Sequence, residues 1–326
     1  MHIPYFWAEC RLQTKLAKKQ VTVKRWGWSD LSQDDAQELA NRRAKEAMER
    51  ILNGETLRRL EAKDSYGTAD GVPIREEVVS RHAEVVITRN SYGSLCLNTP
   101  NVLFADVDAE WHGTLQMRLP GCIAIVIAGI IAGFWQSSFL LGAGIAISGF
   151  WLWSLINKMI NRNRRPVAEA KLKQGNLSAV RTFVSRYPEW NLRVYETPAG
   201  YRLLAMHDVF DPQGEVAKSA LKELNSDTRF VNLCALQACF RARVSPKYWR
   251  MGYRPEISLP KSKWPFRPEH LAMRKTWITG YEAVTPQFAS CRFLEQLGSD
   301  TVHPDAEAVR VLHDSLCQSD SSLPLA

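Results

Sequence analysis

From Leu119 to Asn157 the chain runs 39 residues without one Asp, Glu, Lys, Arg or His. A single membrane-spanning helix needs about 20 apolar residues, so this run is too long for one span and the right length for two. Trp135, Gln136, Ser137 and Ser138 interrupt it with a short polar knot. The pattern predicts a transmembrane helical hairpin with arms over 119–135 and 139–157. A hairpin buried in a soluble core normally keeps some polar face, and these arms carry no charge. Gly129 with Gly133, and Gly142 with Ala146, are small-xxx-small pairs that let helix backbones approach closely. Trp151 and Trp153 suit an interface near the end of the second arm. Arg118 precedes the run, and Lys158, Arg162, Arg164 and Arg165 follow it. The positive-inside rule then places both chain ends in the cytoplasm and the uncharged knot on the far side. Met1 to Cys10 has no apolar h-region of a signal peptide.

Outside the hairpin the periodicity alternates between 2 and 3.6 residues. Gln20–Trp28 (QVTVKRWGW) reads as a strand. Ser29, Asp30 and Ser32 then offer N-caps to a helix that carries Asp34 and Asp35 in its first turn. Its stripe is Leu39, Ala40, Ala44, Ala47, Met48 and Ile51, and Gly54 stops it. Arg58–Val72 reads as a loop. Glu84–Leu97 reads as a β-hairpin turning at Asn90–Gly93. After Pro100, Asn101–Asp108 (NVLFADVD) is a compact apolar strand ending in two carboxylates. Beyond the membrane arms, Val167–Tyr187 is an amphipathic helix ended by Pro188. Leu192–Met206 is a hairpin turning at Thr197–Gly200. Ala217–Leu224 and Arg229–Arg241 read as helices, Arg243–Arg267 as a Pro-rich, basic and aromatic stretch, and the remainder as mostly helical with a polar tail from Gln318. The expected fold is an α+β (α/β) cytoplasmic domain with an inserted two-helix transmembrane hairpin: residues 1–118, the hairpin 119–157, and residues 158–326.

Composition narrows the partners. Charged residues at 23% and aromatics at 10% mark a folded globular chain, and a net charge of +8 suits an anionic partner, either nucleic acid or the inner leaflet. The seven cysteines are scattered without a CxxC pair, which argues against a zinc ribbon and for reduced cytosolic thiols.

Four sets of residues could carry chemistry. Asp106 and Asp108 flank Val107, so on a strand both carboxylates share a face. Such a pair suits Mg²⁺ or Mn²⁺ bridging to phosphates; solvated acids or an Arg clamp are the other readings. Arg193, Tyr195, Thr197, Gly200, Tyr201 and Arg202 surround a turn small enough for a phosphate to approach, or form an ordinary solvated hairpin. His207 and Asp208 are neighbours on a strand and face opposite ways, a weak acid–base pair. From Arg243 to Arg267, seven Lys or Arg interleave with Tyr248, Trp249, Tyr253, Trp264 and Phe266. Cations with aromatic faces make a single-strand groove, an inner-leaflet contact, or a plain extended edge.

Three of these pieces, in order, resemble the archaeo-eukaryotic primase and primase-polymerase superfamily. Phe104–Asp108 resembles its hhDhD strand. Glu196–Arg202 (ETPAGYR) stands at its S-x-H hairpin, with Arg202 in place of His. Asp227 followed by Arg241, Arg243, Ser245 and Lys247 resembles its third acid and R-x-R…S-x-K segment. The resemblance covers roughly residues 85–250 around the membrane arms. It implies a nucleotidyltransferase-like site in which Asp106, Asp108 and Asp227 are catalytic and Asp106 and Asp108 hold Mg or Mn. Arg202, Arg241, Arg243, Ser245, Lys247 and Trp249 would bind nucleotide or single-stranded nucleic acid. The chain as a whole also resembles bacterial membrane proteins of uncharacterised activity, which implies residence in the bacterial inner membrane. The alternative is a non-enzymatic membrane protein whose basic segment docks on anionic lipid or a protein partner.

Overall fold

A computed structural model describes residues 1–16, 19–61, 72–109, 119–135, 137–254 and 264–326. The chain divides into two units, residues 1–107 with 180–326, and residues 108–179. The fold is mixed α+β with several sheets. Most of the loop read at Arg58–Val72 lies outside the described residues.

The first unit opens with β1 (Phe6–Leu16) and β2 (Lys19–Ser29), antiparallel from Phe6 opposite Ser29 onward. The sequence reading missed β1, although its buried Ala8 and Cys10 alternate with exposed Glu9 and Arg11. Helix α1 (Gln33–Leu52) follows as predicted, with Ser32 as N-cap accepting from the Asp35 N–H at 3.1 Å. Ala36, Ala40 and Ala44 pack on Ala8 and Cys10, while Ala47, Met48 and Ile51 pack on Val21 and Val23. Gly27 sets the closeness of that packing. A Cβ there would stand 2.1 Å from the Ala36 carbonyl oxygen, so the helix rests on bare strand backbone.

Among the described residues, two four-stranded sheets follow. The first runs β3 (Glu77–His82), β4 (Val85–Arg89), β5 (Leu95–Thr99), β9 (Phe240–Arg243). Asn90 closes its predicted turn by accepting from the N–H groups of Tyr92 and Ser94 at 3.2 and 3.0 Å. The second runs β10 (Arg292–Gly298), β7 (Asn191–Glu196), β8 (Gly200–Ala205), β6 (Phe104–Asp108). Its strands β6, β7 and β8 carry the core, with Phe104, Val107, Leu192, Val194, Leu203 and Leu204 all at 0% exposure.

Helices α4 (Glu215–Glu223), α5 (Thr228–Gln237), α6 (Pro268–Val284) and α7 (Pro304–Cys317) complete this unit. Two readings change here. The helix expected over Arg229–Arg241 stops at Gln237, because Ala238 turns left-handed at φ +46°, and the chain continues as β9. The tail expected to be mostly helical contains β10, whose register shifts by a bulge between Phe293 and Glu295.

In the second unit, α2 (Leu119–Trp135) and α3 (Phe139–Arg186) form a helical hairpin. A Cβ on Gly129 would lie 2.9 Å from the Ala146 Cβ, and one on Gly142 2.7 Å from the Gly129 carbonyl oxygen. Both small-residue pairs therefore lie in the contact. The amphipathic helix read at Val167–Tyr187 is not separate; α3 runs on through Pro166 and joins the first unit from Val180. The ring removes one N–H and crowds the preceding turn, but residues 162–167 are exposed, where water can reach the freed carbonyl. Gly142–Arg186 is long and apolar enough to cross a membrane; the apolar part of α2, Ile123–Trp135, is shorter.

Candidate functional site

The centre of the first unit is a chain of polar groups behind β6. Neighbouring strands bring Asp106 of β6 beside Arg202 of β8. Arg202 is 2% exposed and spreads its fork over three elements. Its Nε donates to Asp106 Oδ1 at 2.9 Å, and Nη1 donates to the Arg243 carbonyl of β9 at 2.8 Å. Nη1 also lies 3.4 Å from His313 Nε2 of α7. Burial penalises the Arg202 cation, but Asp106, Cys291 and Cys317 outweigh it and raise its pKa. The resemblance assigns Arg202 to phosphates; the side chain is instead buried against Asp106.

The acids are placed as follows. Asp227 is the N-cap of α5, where its carboxylate accepts from the Phe230 N–H at 2.9 Å. Its own N–H donates to the Asp106 carbonyl at 3.1 Å, and Ser226 Oγ donates to the same oxygen at 3.0 Å. The backbones of the two acids are thus adjacent, while one carboxylate caps a helix and the other answers an arginine. Asp108 is exposed at the end of β6.

The R-x-R…S-x-K segment divides between interior and surface. Arg241 pairs with buried Glu76, whose Oε2 also accepts from Thr88 at 2.7 Å. Ser245 is buried; its Oγ accepts from the Leu95 N–H at 2.7 Å and meets the Tyr281 hydroxyl at 2.7 Å. These two knit β9 into the sheet. Arg243 is half-buried and interacts with the Tyr92 hydroxyl, whose pKa is raised chiefly by burial. Trp249 is 51% exposed, with its ring 5.3 Å from Tyr92 and Lys247 Nζ 5.6 Å from its centroid. Tyr248 meets Trp249 edge-on at 5.0 Å and Trp277 at 5.5 Å behind it. The middle of the basic stretch, residues 255–263, lies outside the described residues.

Near the start of β7, the His207 ring meets Trp190 at a tilt, 4.5 Å between centroids, and its Nδ1 accepts from the Asn191 N–H at 3.3 Å. Burial lowers its pKa.

Among the described residues, one set of metal-type donors converges: Cys291, His313 and Cys317, with ligand atoms within 4.8 Å of one another, could hold a metal ion. His313 Nε2 lies 3.5 Å from Cys317 Sγ and 3.9 Å from Cys291 Sγ, and Nδ1 meets Asp314 Oδ1 at 2.9 Å. The Cys317 thiol, with His313 and Arg202 beside it, outweighs burial and holds Cys291 well below the usual thiol range; burial pushes Cys317 up. Sequence reasoning looked for CxxC pairs and missed this set. The available signal was His313-x-x-x-Cys317 on one helix face; Cys291, arriving from outside that helix, was not readable. Against family models, curated proteins and solved structures, the chain returns no match.

Proposed function

We propose that this chain is a membrane-anchored protein whose α+β unit binds nucleotide or single-stranded nucleic acid without polymerising it. What supports the anchor is the surface of the hairpin. Ile123, Val126, Ile127, Ile130, Ile131, Phe134 and Trp135 of α2, and Leu140, Ile147, Phe150, Trp151 and Leu152 of α3, are all at least half exposed. A contiguous apolar surface of this kind is rare on soluble proteins, and two glycine-packed helices are a common membrane solution. The reading gives two spans in a bacterial inner membrane, with both chain ends cytoplasmic.

The observation that carries the binding reading is the exposed Trp249 face, flanked by Tyr92 and Lys247 and backed by Tyr248. A held indole with a cation beside it stacks bases and meets phosphates. What supports the primase-like resemblance is that its three pieces are joined by the Asp106–Asp227, Asp106–Arg202 and Arg202–Arg243 hydrogen bonds. The same bonds favour binding over nucleotidyl transfer. Asp106 already has its cation, so Mg²⁺ or Mn²⁺ enters this reading as the counter-ion of a bound triphosphate.

The test uses the full chain in mild detergent and a labelled single-stranded oligonucleotide. Trp249→Ala should weaken binding by about 1–3 kcal/mol, the range of one stacked base. Lys247→Ala should lower the log–log salt slope by roughly 0.7 for each phosphate that is no longer neutralised. Unchanged binding by both variants, or none by the parent chain, would overturn the reading in favour of lipid or protein docking. Lipid docking would show instead as a loss of about 1 kcal/mol per neutralised basic residue on anionic vesicles.

A further inference from the structure

The Cys291, His313 and Cys317 cluster is closed. Cys291 and His313 are 0% exposed and Cys317 is 1% exposed. A Cys–His–Asp set would read as nucleophile, base and orienting group if a substrate could arrive, but no face of it meets solvent. What remains is a role for buried donors held in fixed positions.

Their positions are set by backbone before any ligand is considered. His313 and Cys317 stand four residues apart on α7, so they share a face. Cys291 is carried alongside by two backbone bonds. The Ser290 N–H donates to the Cys317 carbonyl and the Phe293 N–H to the Ser319 carbonyl, both at 3.0 Å. Helix and strand are stitched together on either side of the three donors.

The separations fit metal ligands. With Zn–S of about 2.3 Å and Zn–N of about 2.0–2.1 Å at tetrahedral angles, sulfur and nitrogen ligands stand roughly 3.6 Å apart. The observed values are 3.5 and 3.9 Å. A trigonal ion with similar bond lengths requires roughly 3.8 Å, so the donor spacing fits either geometry, a tetrahedral ion needing one further ligand. The imidazole is oriented as a ligand should be. Nδ1–H donates to Asp314 Oδ1 at 2.9 Å, which leaves the Nε2 lone pair facing both sulfurs. Asp314 is itself held by Arg193 at 3.3 Å and Arg310 at 3.2 Å. A carboxylate behind a histidine is the usual outer support of such a ligand.

Charge points the same way. As metal ligands both sulfurs would be thiolates, and Arg202, the cation beside them, is already matched by Asp106. A divalent ion neutralises both sulfurs; a monovalent ion neutralises one. The Arg202 approach to Nε2, at 3.4 Å, is at the weak limit of a hydrogen bond. A metal can take that lone pair at little cost, and the bonds to Asp106 and Arg243 remain.

We propose that Cys291, His313 and Cys317 form a closed structural site for a thiophilic d¹⁰ cation, Zn²⁺ or Cu⁺, that clamps α7 to the chain entering β10. Soft thiolates with imidazole select these ions over Mg²⁺ or Mn²⁺. The site is independent of the Trp249 face and survives the failure of that reading.

The test is the metal content of the full chain, purified in detergent without chelator or metal-affinity resin. Elemental analysis should find close to one equivalent of zinc or copper per chain, and which element is found decides between the two ions. Cys317→Ser and Cys291→Ser should lose that metal, while Cys10→Ser, elsewhere in the first unit, keeps it. Because the cluster variants could misfold, a second measurement uses the parent chain. Metal-free protein given Co²⁺ should develop thiolate-to-cobalt charge-transfer absorption that stoichiometric Zn²⁺ or Cu⁺ abolishes. Protein that carries no metal and takes up none under reducing conditions overturns the proposal. So does a Cys291–Cys317 disulfide found by thiol trapping of freshly purified chain.

Discussion

At the scale of single residues, the two carboxylates of β6 have separate fates. Asp106 balances a guanidinium that is 2% exposed, whereas Asp108 is exposed at the strand end. Asp106 itself is half-buried, so removing its charge leaves the buried guanidinium without its counter-ion at a cost of about 1–3 kcal/mol. Asp106→Asn should lower the denaturant midpoint accordingly, and by more than Asp108→Asn at the exposed strand end. Equal effects from the two would mean that Asp106 does not answer Arg202. The carboxylate pair was legible in the sequence, and so was an arginine clamp as one of its readings. Which arginine could not be read, because Arg202 lies on another strand, far along the chain, and pairing across a sheet is not written in local periodicity. Arg241 and Ser245 show the same limit. Their spacing is visible, but only the partners Glu76 and Tyr281 reveal that they knit the fold together.

At the scale of elements, amphipathic patterns with caps were the most readable feature. The stripe and Ser32 cap of α1 are found as expected, as are the Asn90 and Thr197 turns. Strands β1 and β10 were obscured by charges on their exposed faces, and the length of α3 by a proline that normally signals a break. The close approach of α1 to β2 is a sharper test of packing than the pattern alone. Gly27→Ala places a methyl group 2.1 Å from the Ala36 carbonyl oxygen and 2.2 Å from the Ala40 nitrogen, so the helix must lift. Overpacking of this kind costs about 1–3 kcal/mol, and the melting temperature should fall. Gly175→Ala in α3 meets nothing within 4 Å and should leave stability equal or raise it by up to about 1 kcal/mol. A Gly27→Ala protein as stable as its parent would show that α1 does not sit on that strand as closely as described.

At the scale of the whole molecule, the membrane reading makes one prediction of its own. Cytoplasm-sensing reporters fused before Met1 and after Ala326 should both report the cytoplasm, and one inserted between Gln136 and Ser137 should report the opposite side. An external signal from either end would leave one span or none. The division of the first unit into residues 1–107 and 180–326 has a consequence for how the chain is made. Strand β5 is synthesised well before its partner β9, and β6 well before β8. About 140 residues separate β5 from β9, at ribosomal rates of roughly 5–20 residues per second a delay on the order of ten seconds. Through that interval the leading half waits with open strand edges, the condition under which chains pair with the wrong neighbour. The apolar hairpin emerges inside this interval. Its delivery to a bilayer would hold the nascent chain at a surface and apart from its copies until the second half supplies the missing strands.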